Sequence, residues 1–148
     1  MKAFYAGSFD PFTTGHLYVA HRALECCGEL VIGIGLNESK KNEYSIDERI
    51  LNIQKIFAGN PSVTIFAYDG LTALAAKEKG ALMLVRGVRN TIDFEKEKEL
   101  ADINLKIFGI PTIMIPAPSS LSFISSSMVR ELSHFGYDVS EFLPSTDI

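Results

Sequence analysis

The segment Gly7-Ser8-Phe9-Asp10-Pro11-Phe12-Thr13-Thr14-Gly15-His16 follows a short apolar run at residues 3–6 and precedes an amphipathic stretch. It sets a turn, a gap the size of a phosphate and an imidazole at a predicted strand-to-helix junction, an arrangement suited to a nucleoside triphosphate. Gly7 lets the backbone approach a ligand closely, and Ser8 offers a hydroxyl. Gly15 and His16 fall where helix-end N–H groups favour an anion. Asp10, ahead of Pro11, is expected to fix the turn through local backbone N–H groups rather than to hold a metal.

Further along, Lys40 and Lys41 offer ammonium groups, either as a solvated loop or, for Lys40, as a cation that neutralises charge growing on a phosphoryl group. Arg86 and Arg89 supply two guanidinium forks separated by Gly87 and Val88, a good device for phosphate. For Arg89 the alternative is an ion pair with Asp93 or Glu95. Ser125, Ser126 and Ser127 stand at the start of a predicted helix, where one hydroxyl caps it and the others are free for a triphosphate; capping alone is the plainer alternative.

The elements that must position these residues alternate regularly. Strands are predicted at 2–6, 30–36, 63–67, 82–85 and 112–115. Helices are predicted at 15–27, stopped by Gly28, at 47–57 with Ser45 as N-cap, at 71–79, at 94–108 and at 125–135, with a short turn at 138–142. This βαβ series with short links predicts one Rossmann-like α/β domain over residues 1–148, a five-stranded parallel sheet flanked by helices. Ligands of such a sheet bind outside the carboxyl ends of the strands. Residues 7–16, 37–42, 86–89 and 116–127 all emerge at that end.

Composition narrows the class. A chain of 148 residues with 47% apolar and 22% charged residues is long enough for one domain with a real core. The formal net charge of −4 argues against wrapping nucleic acid but permits small anions held by clustered cations. Cys26 and Cys27 are adjacent and read as small apolar residues of a reducing compartment. No apolar run is long enough for a membrane span, so a cytoplasmic protein is expected. His21 and His134 read as surface or interface residues, and the three histidines lack a zinc-ligand spacing. There is no GxxxxGK[ST] loop and no GxGxxG signature. Gly33-Ile34-Gly35 lies inside a strand, where it permits close packing.

The first-loop motif resembles the signature of the HIGH-type nucleotidyltransferases. With Arg86-Gly87-Val88-Arg89, Asp93-Phe94-Glu95 and Ser122-Phe123-Ile124-Ser125-Ser126-Ser127 added, the chain resembles the bacterial phosphopantetheine adenylyltransferases over almost its whole length. The resemblance implies transfer of AMP from ATP to 4'-phosphopantetheine, giving dephospho-coenzyme A and pyrophosphate, without a protein nucleophile and with Mg2+ brought by ATP. It implies that Ser8 and Phe9 meet the substrate phosphate and the nucleotide, and that His16 contacts the reacting α-phosphate. Lys40 would help hold the transition state. Arg89 would bind the β and γ phosphates together with Ser125, Ser126 and Ser127. Arg86 would hold phosphopantetheine, with Thr72 near its pantetheine arm, while Gly87 and Glu97 would lie around the adenosine. It also implies a homohexamer of two stacked trimers and feedback binding of coenzyme A. Ser8 stands where the family often has Thr, Thr14 where Asn is frequent, Lys96 where an aromatic is common, and Thr72 where a more apolar residue is usual. The chain ends at Ile148, where relatives commonly continue into another short helix. A nucleotidyltransferase with another phosphate acceptor, and a catalytically silent nucleotide-binding or coenzyme A-sensing module, are the competing readings.

Overall fold

The computed structural model describes residues 1–37 and 41–146. Five strands, β1 (Lys2–Gly7), β2 (Glu29–Gly35), β3 (Val63–Tyr68), β4 (Met83–Val88) and β5 (Thr112–Pro116), form one parallel sheet in the order β3-β2-β1-β4-β5. The helices α1 (Thr14–Cys27), α2 (Ile46–Ile56), α3 (Thr72–Glu78), α4 (Thr91–Phe108) and α5 (Ser126–His134) connect or follow the strands, and a 3-10 turn spans Ser140–Phe142. Strand side chains alternate between the two faces of a sheet. Accordingly Tyr5, Ile32 and Val85 pack with Ala20, Ala23, Ile53 and Phe57 of the α1 and α2 side. Phe4, Val31 and Leu84 pack with Ala73, Ala76 and Phe108 of the α3 and α4 side. Gly33 is a packing glycine, as expected: a Cβ there would collide with the Phe4 ring and lie 3.1 Å from Tyr68 Cε1.

Chain order reverses between β1 and β4, which pair directly although β2 and β3 intervene in sequence. That switch point opens a crevice at the carboxyl ends of the two central strands.

Several boundaries differ from the sequence reading for local reasons. β4 runs to Val88, because Arg86, Gly87 and Val88 continue in register with Met114, Ile115 and Pro116 of β5. Arg86 and Gly87 are therefore strand residues, and only Arg89 belongs to the loop. α4 begins three residues earlier than its apolar stripe, since the Asn90 side chain accepts the Asp93 N–H and caps the helix there. Ser45 caps α2 as the residue directly before it, in a reciprocal pairing with Glu48. Among the described residues no helix is long and apolar enough to cross a membrane.

Candidate active site

The crevice is a cavity of about 380 Å³ walled by the ends of β1 and β4, the first turns of α1 and α5, and α4. Its floor is the turn after β1. Phe9 takes a positive φ of 48°, an uncommon conformation for a bulky residue that surrounding structure must enforce. Its buried ring folds back over Gly7, where a Cβ would sit 2.9 Å from Phe9 Cζ. The space freed by Gly7 is thus filled by the protein's own ring rather than by a ligand.

Three remote side chains hold the carbonyls of this turn. Arg49 Nη1 donates to Ser8 O at 2.8 Å, Arg130 Nη1 to Asp10 O at 2.6 Å and Ser126 Oγ to Pro11 O at 2.8 Å. Asp10 does fix a turn, but its partners are not local. Its buried carboxylate accepts the backbone N–H groups of Glu43 and Tyr44, both at 2.9 Å, and so ties the turn after β1 to the loop after β2.

His16 stands at the third position of α1 in a capping box. Thr13 Oγ1 accepts the His16 N–H, and His16 Nδ1 accepts the Thr13 N–H at 3.0 Å. An accepting Nδ1 assigns the ring proton of the neutral imidazole to Nε2, the edge away from the cap. The ring is walled by Phe9 and Phe12, with centroids at 5.0 and 5.4 Å. Burial, reinforced by the charges of Arg86 and Arg89, pushes its pKa down to about 4. At neutral pH His16 is therefore an uncharged donor. The adjoining Tyr5 phenol is held protonated, its pKa raised chiefly by burial.

Two arginines face two carboxylates across β4 and α4. Asp93 and Glu97 are one helical turn apart and share a face. Glu97 takes Arg86 in a bidentate pair, Nε and Nη2 each at 2.8 Å from a carboxylate oxygen, while Arg86 Nη1 donates to Ala6 O. Asp93 accepts from Arg89 Nε at 3.1 Å and from the Arg89 N–H at 3.2 Å. The ion pair with Asp93, one of the alternatives for Arg89, is thus formed through Nε, and Arg89 also lines the cavity. At the far wall Ser125 caps α5 by accepting the Met128 N–H, and its hydroxyl lies 3.2 Å from that of Ser127. Ser126 is spent on the Pro11 carbonyl, which leaves Ser127 the more open hydroxyl.

The structure therefore brings Gly7, Ser8, Phe9, Gly15, His16, Arg86, Gly87, Arg89, Glu97, Ser125, Ser126 and Ser127 around one cavity. Gly87 also admits α1, since a Cβ there would come within 2.9 Å of Val19 Cγ2. Thr72 is not among the lining residues; its hydroxyl is 2.7 Å from that of Tyr68. Lys40 lies outside the described residues. Sequence reasoning missed Thr13 and Arg130, both of which line the cavity. Thr13 was signalled by its spacing from His16, three residues as in a capping box. Arg130 was signalled by standing four residues after Ser126, on the same helical face.

Comparison with known proteins agrees with this geometry. Residues 4–132 match the cytidylyltransferase-like family. A phosphopantetheine adenylyltransferase of Phocaeicola vulgatus is 49% identical over 143 residues, 97% of this chain and 95% of that protein. One from Porphyromonas gingivalis is 46% identical, covering 96% and 93%. The fold is shared with a bifunctional NMN adenylyltransferase/ADP ribose pyrophosphatase of Francisella tularensis, with a TM-score of 0.75 at 16% identity over 99% of this chain and 45% of that one. Near full-length identity of this size, together with the arginine-lined crevice at the switch point, leads to the conclusion that the chain belongs to the phosphopantetheine adenylyltransferase family.

Proposed function

We infer that this protein transfers AMP from ATP to the phosphate of 4'-phosphopantetheine, forming dephospho-coenzyme A and releasing pyrophosphate. The observation that carries this reading is the convergence on one cavity of the N-terminal turns of α1 and α5 with neutral His16 and the guanidinium groups of Arg86, Arg89 and Arg130. Helix N-termini and arginine forks suit polyanions.

An oxygen of the acceptor phosphate attacks the α-phosphorus of ATP in line. One P–O bond forms there as the bond to the β-phosphate bridging oxygen breaks, and the electron pair leaves with pyrophosphate. The acceptor is ionised near neutral pH, so no general base is required. The difficulty is to hold two polyanions against their repulsion. His16 Nε2–H, the tautomer fixed by the bond from the Thr13 N–H to Nδ1, donates to an α-phosphoryl oxygen. Arg89 and Ser127 engage the β and γ phosphates, together with Ser125. Arg86 receives the acceptor phosphate. Gly15 and Ser8 line the path between them, Phe9 supports the floor, and Gly87 lies towards the adenosine. Lys40 adds a cation to the transition state. Thr72, hydrogen-bonded to Tyr68, would meet the pantetheine arm outside the cavity lining.

Mg2+ brought with ATP would neutralise part of the charge on the departing pyrophosphate. The carboxylates nearest the cavity are committed, Asp93 to Arg89, Glu97 to Arg86 and Asp10 to two backbone N–H groups. The fitting ligands for the cation are therefore the phosphate oxygens. A cytoplasmic homohexamer of two stacked trimers, with coenzyme A as a feedback ligand competing for the same cavity, completes the proposal.

The decisive assay follows pyrophosphate release from Mg-ATP with and without 4'-phosphopantetheine, with mass detection of the nucleotide product. Dephospho-coenzyme A formed only with both substrates is the expected result. Absence of product from folded, ATP-binding protein would overturn the reading and favour another acceptor or a silent sensing module.

A further inference from the structure

Glu97 buries its carboxylate more deeply than Arg86 buries its guanidinium, with side chains 13% and 34% exposed. Both Glu97 oxygens are engaged by Arg86, one by Nε and one by Nη2, and the Ala6 carbonyl takes Nη1. A guanidinium has five N–H donors. Three are thus anchored on protein, and the remaining two belong to Nη1 and Nη2 at the cavity wall. Because the anchors come from two different elements, α4 and β1, the fork cannot swing about one contact while keeping the other.

We propose that Glu97 is a positioning residue for the phosphate acceptor: it clamps Arg86 against the Ala6 carbonyl so that the two remaining donors are aimed at the acceptor phosphate. The inference rests on the reading above, in which Arg86 meets that phosphate. Glu97 then acts through Arg86, and the resemblance-based expectation that it lies around the adenosine is not needed to explain its place. Two effects of the carboxylate oppose each other. Its charge repels a nearby phosphate, whereas its hydrogen bonds remove the ordering cost of a long, rotamer-rich side chain. The orientation effect prevails, because the pair is bidentate, shielded on the carboxylate side and backed by a backbone carbonyl. An exposed, singly bonded pair such as Lys98 with Asp102 has none of these features.

The test is a double-mutant cycle read by steady-state kinetics, with ATP and 4'-phosphopantetheine varied independently. Glu97→Gln keeps one acceptor oxygen and the side-chain volume. It is expected to raise the KM for 4'-phosphopantetheine about tenfold while the KM for ATP changes by less than about twofold. Arg86→Ala is expected to raise the acceptor KM further, and the double variant to be no worse than Arg86→Ala alone. Thermal melts of each variant separate loss of fold from loss of binding. Additive effects in the double variant, an increase in the ATP KM alone, or tighter acceptor binding by Glu97→Gln would each overturn the positioning role. An unchanged acceptor KM in folded Arg86→Ala would instead remove the underlying assignment of Arg86, and the inference with it.

Discussion

His16 combines a fixed tautomer with a pKa lowered to about 4. Replacing it with Ala should lower kcat far more than it weakens ATP binding, because in the proposed mechanism its hydrogen bond to the α-phosphate acts mainly in the transition state. Parallel titration and turnover measurements decide this, and equal losses in both would make His16 a binding or folding residue. The same lowered pKa affects stability. Above pH 6.5 the ring is neutral in folded and unfolded chains alike. Below it the unfolded chain takes up a proton that the folded one refuses until about pH 4. Stability is therefore lost as pH falls through this window, by on the order of 2 kcal/mol after allowing for solvent in the cavity. Urea denaturation at pH 7 and 4.5 should show a smaller loss in His16→Gln than in the unaltered protein. Thr14 makes a contrasting case. Its hydroxyl is buried with no hydrogen-bond partner, so Thr14→Val should stabilise the fold by up to about 1 kcal/mol. A lower Tm for that variant would show that the hydroxyl is satisfied in solution.

At the level of elements, the turn after β1 and the loop after β2 are joined by the Asp10 carboxylate. Asp10→Asn retains one acceptor oxygen but sets an amide against the second N–H group. The expected cost is about 1–3 kcal/mol. Amide exchange should accelerate at Glu43 and Tyr44 before it does in the sheet, and unchanged exchange at both would refute the tether. This link also marks the limit of what the sequence displays. Strands and helices were legible because the strands are short, nearly continuous apolar runs and the helices carry apolar residues at a period of 3.6, with Gly28 marking a helix end and Ser45 a helix start. The end of β4 was hidden, since Arg86 interrupts the apolar run although its backbone continues to pair with β5. The start of α4 was hidden for a related reason: the Asn90 cap precedes the apolar stripe. Within the site, the individual phosphate-binding candidates could be read from residue type and loop position. Their mutual arrangement could not. Nothing local to Asp10 points to N–H groups 33 and 34 residues away, and nothing in the three serines says which one is spent on the Pro11 carbonyl.

For the molecule as a whole, α4 contributes no fully buried residue, and Leu100, Ile103 and Ile107, which share one face of it, are more than half exposed. An apolar surface of this kind is suited to subunit contact. Sedimentation should give a hexamer of 16.3 kDa chains, and Ile103→Glu with Ile107→Glu should shift it towards smaller species. A monomer at the concentrations used for assay would contradict the proposed assembly. The tethers of the first turn have a different bearing. Arg130 reaches Asp10 across 120 residues and Ser126 reaches Pro11 across 115, so the loop after β1 is completed by a helix made much later in synthesis. During synthesis, then, a nascent chain arrested before α5 should possess most of its sheet and yet retain no ATP on the ribosome. Nucleotide capture by ribosome-bound chains should therefore begin only once α5 has emerged, and equal retention of ATP by chains ending before and after α5 would refute this dependence.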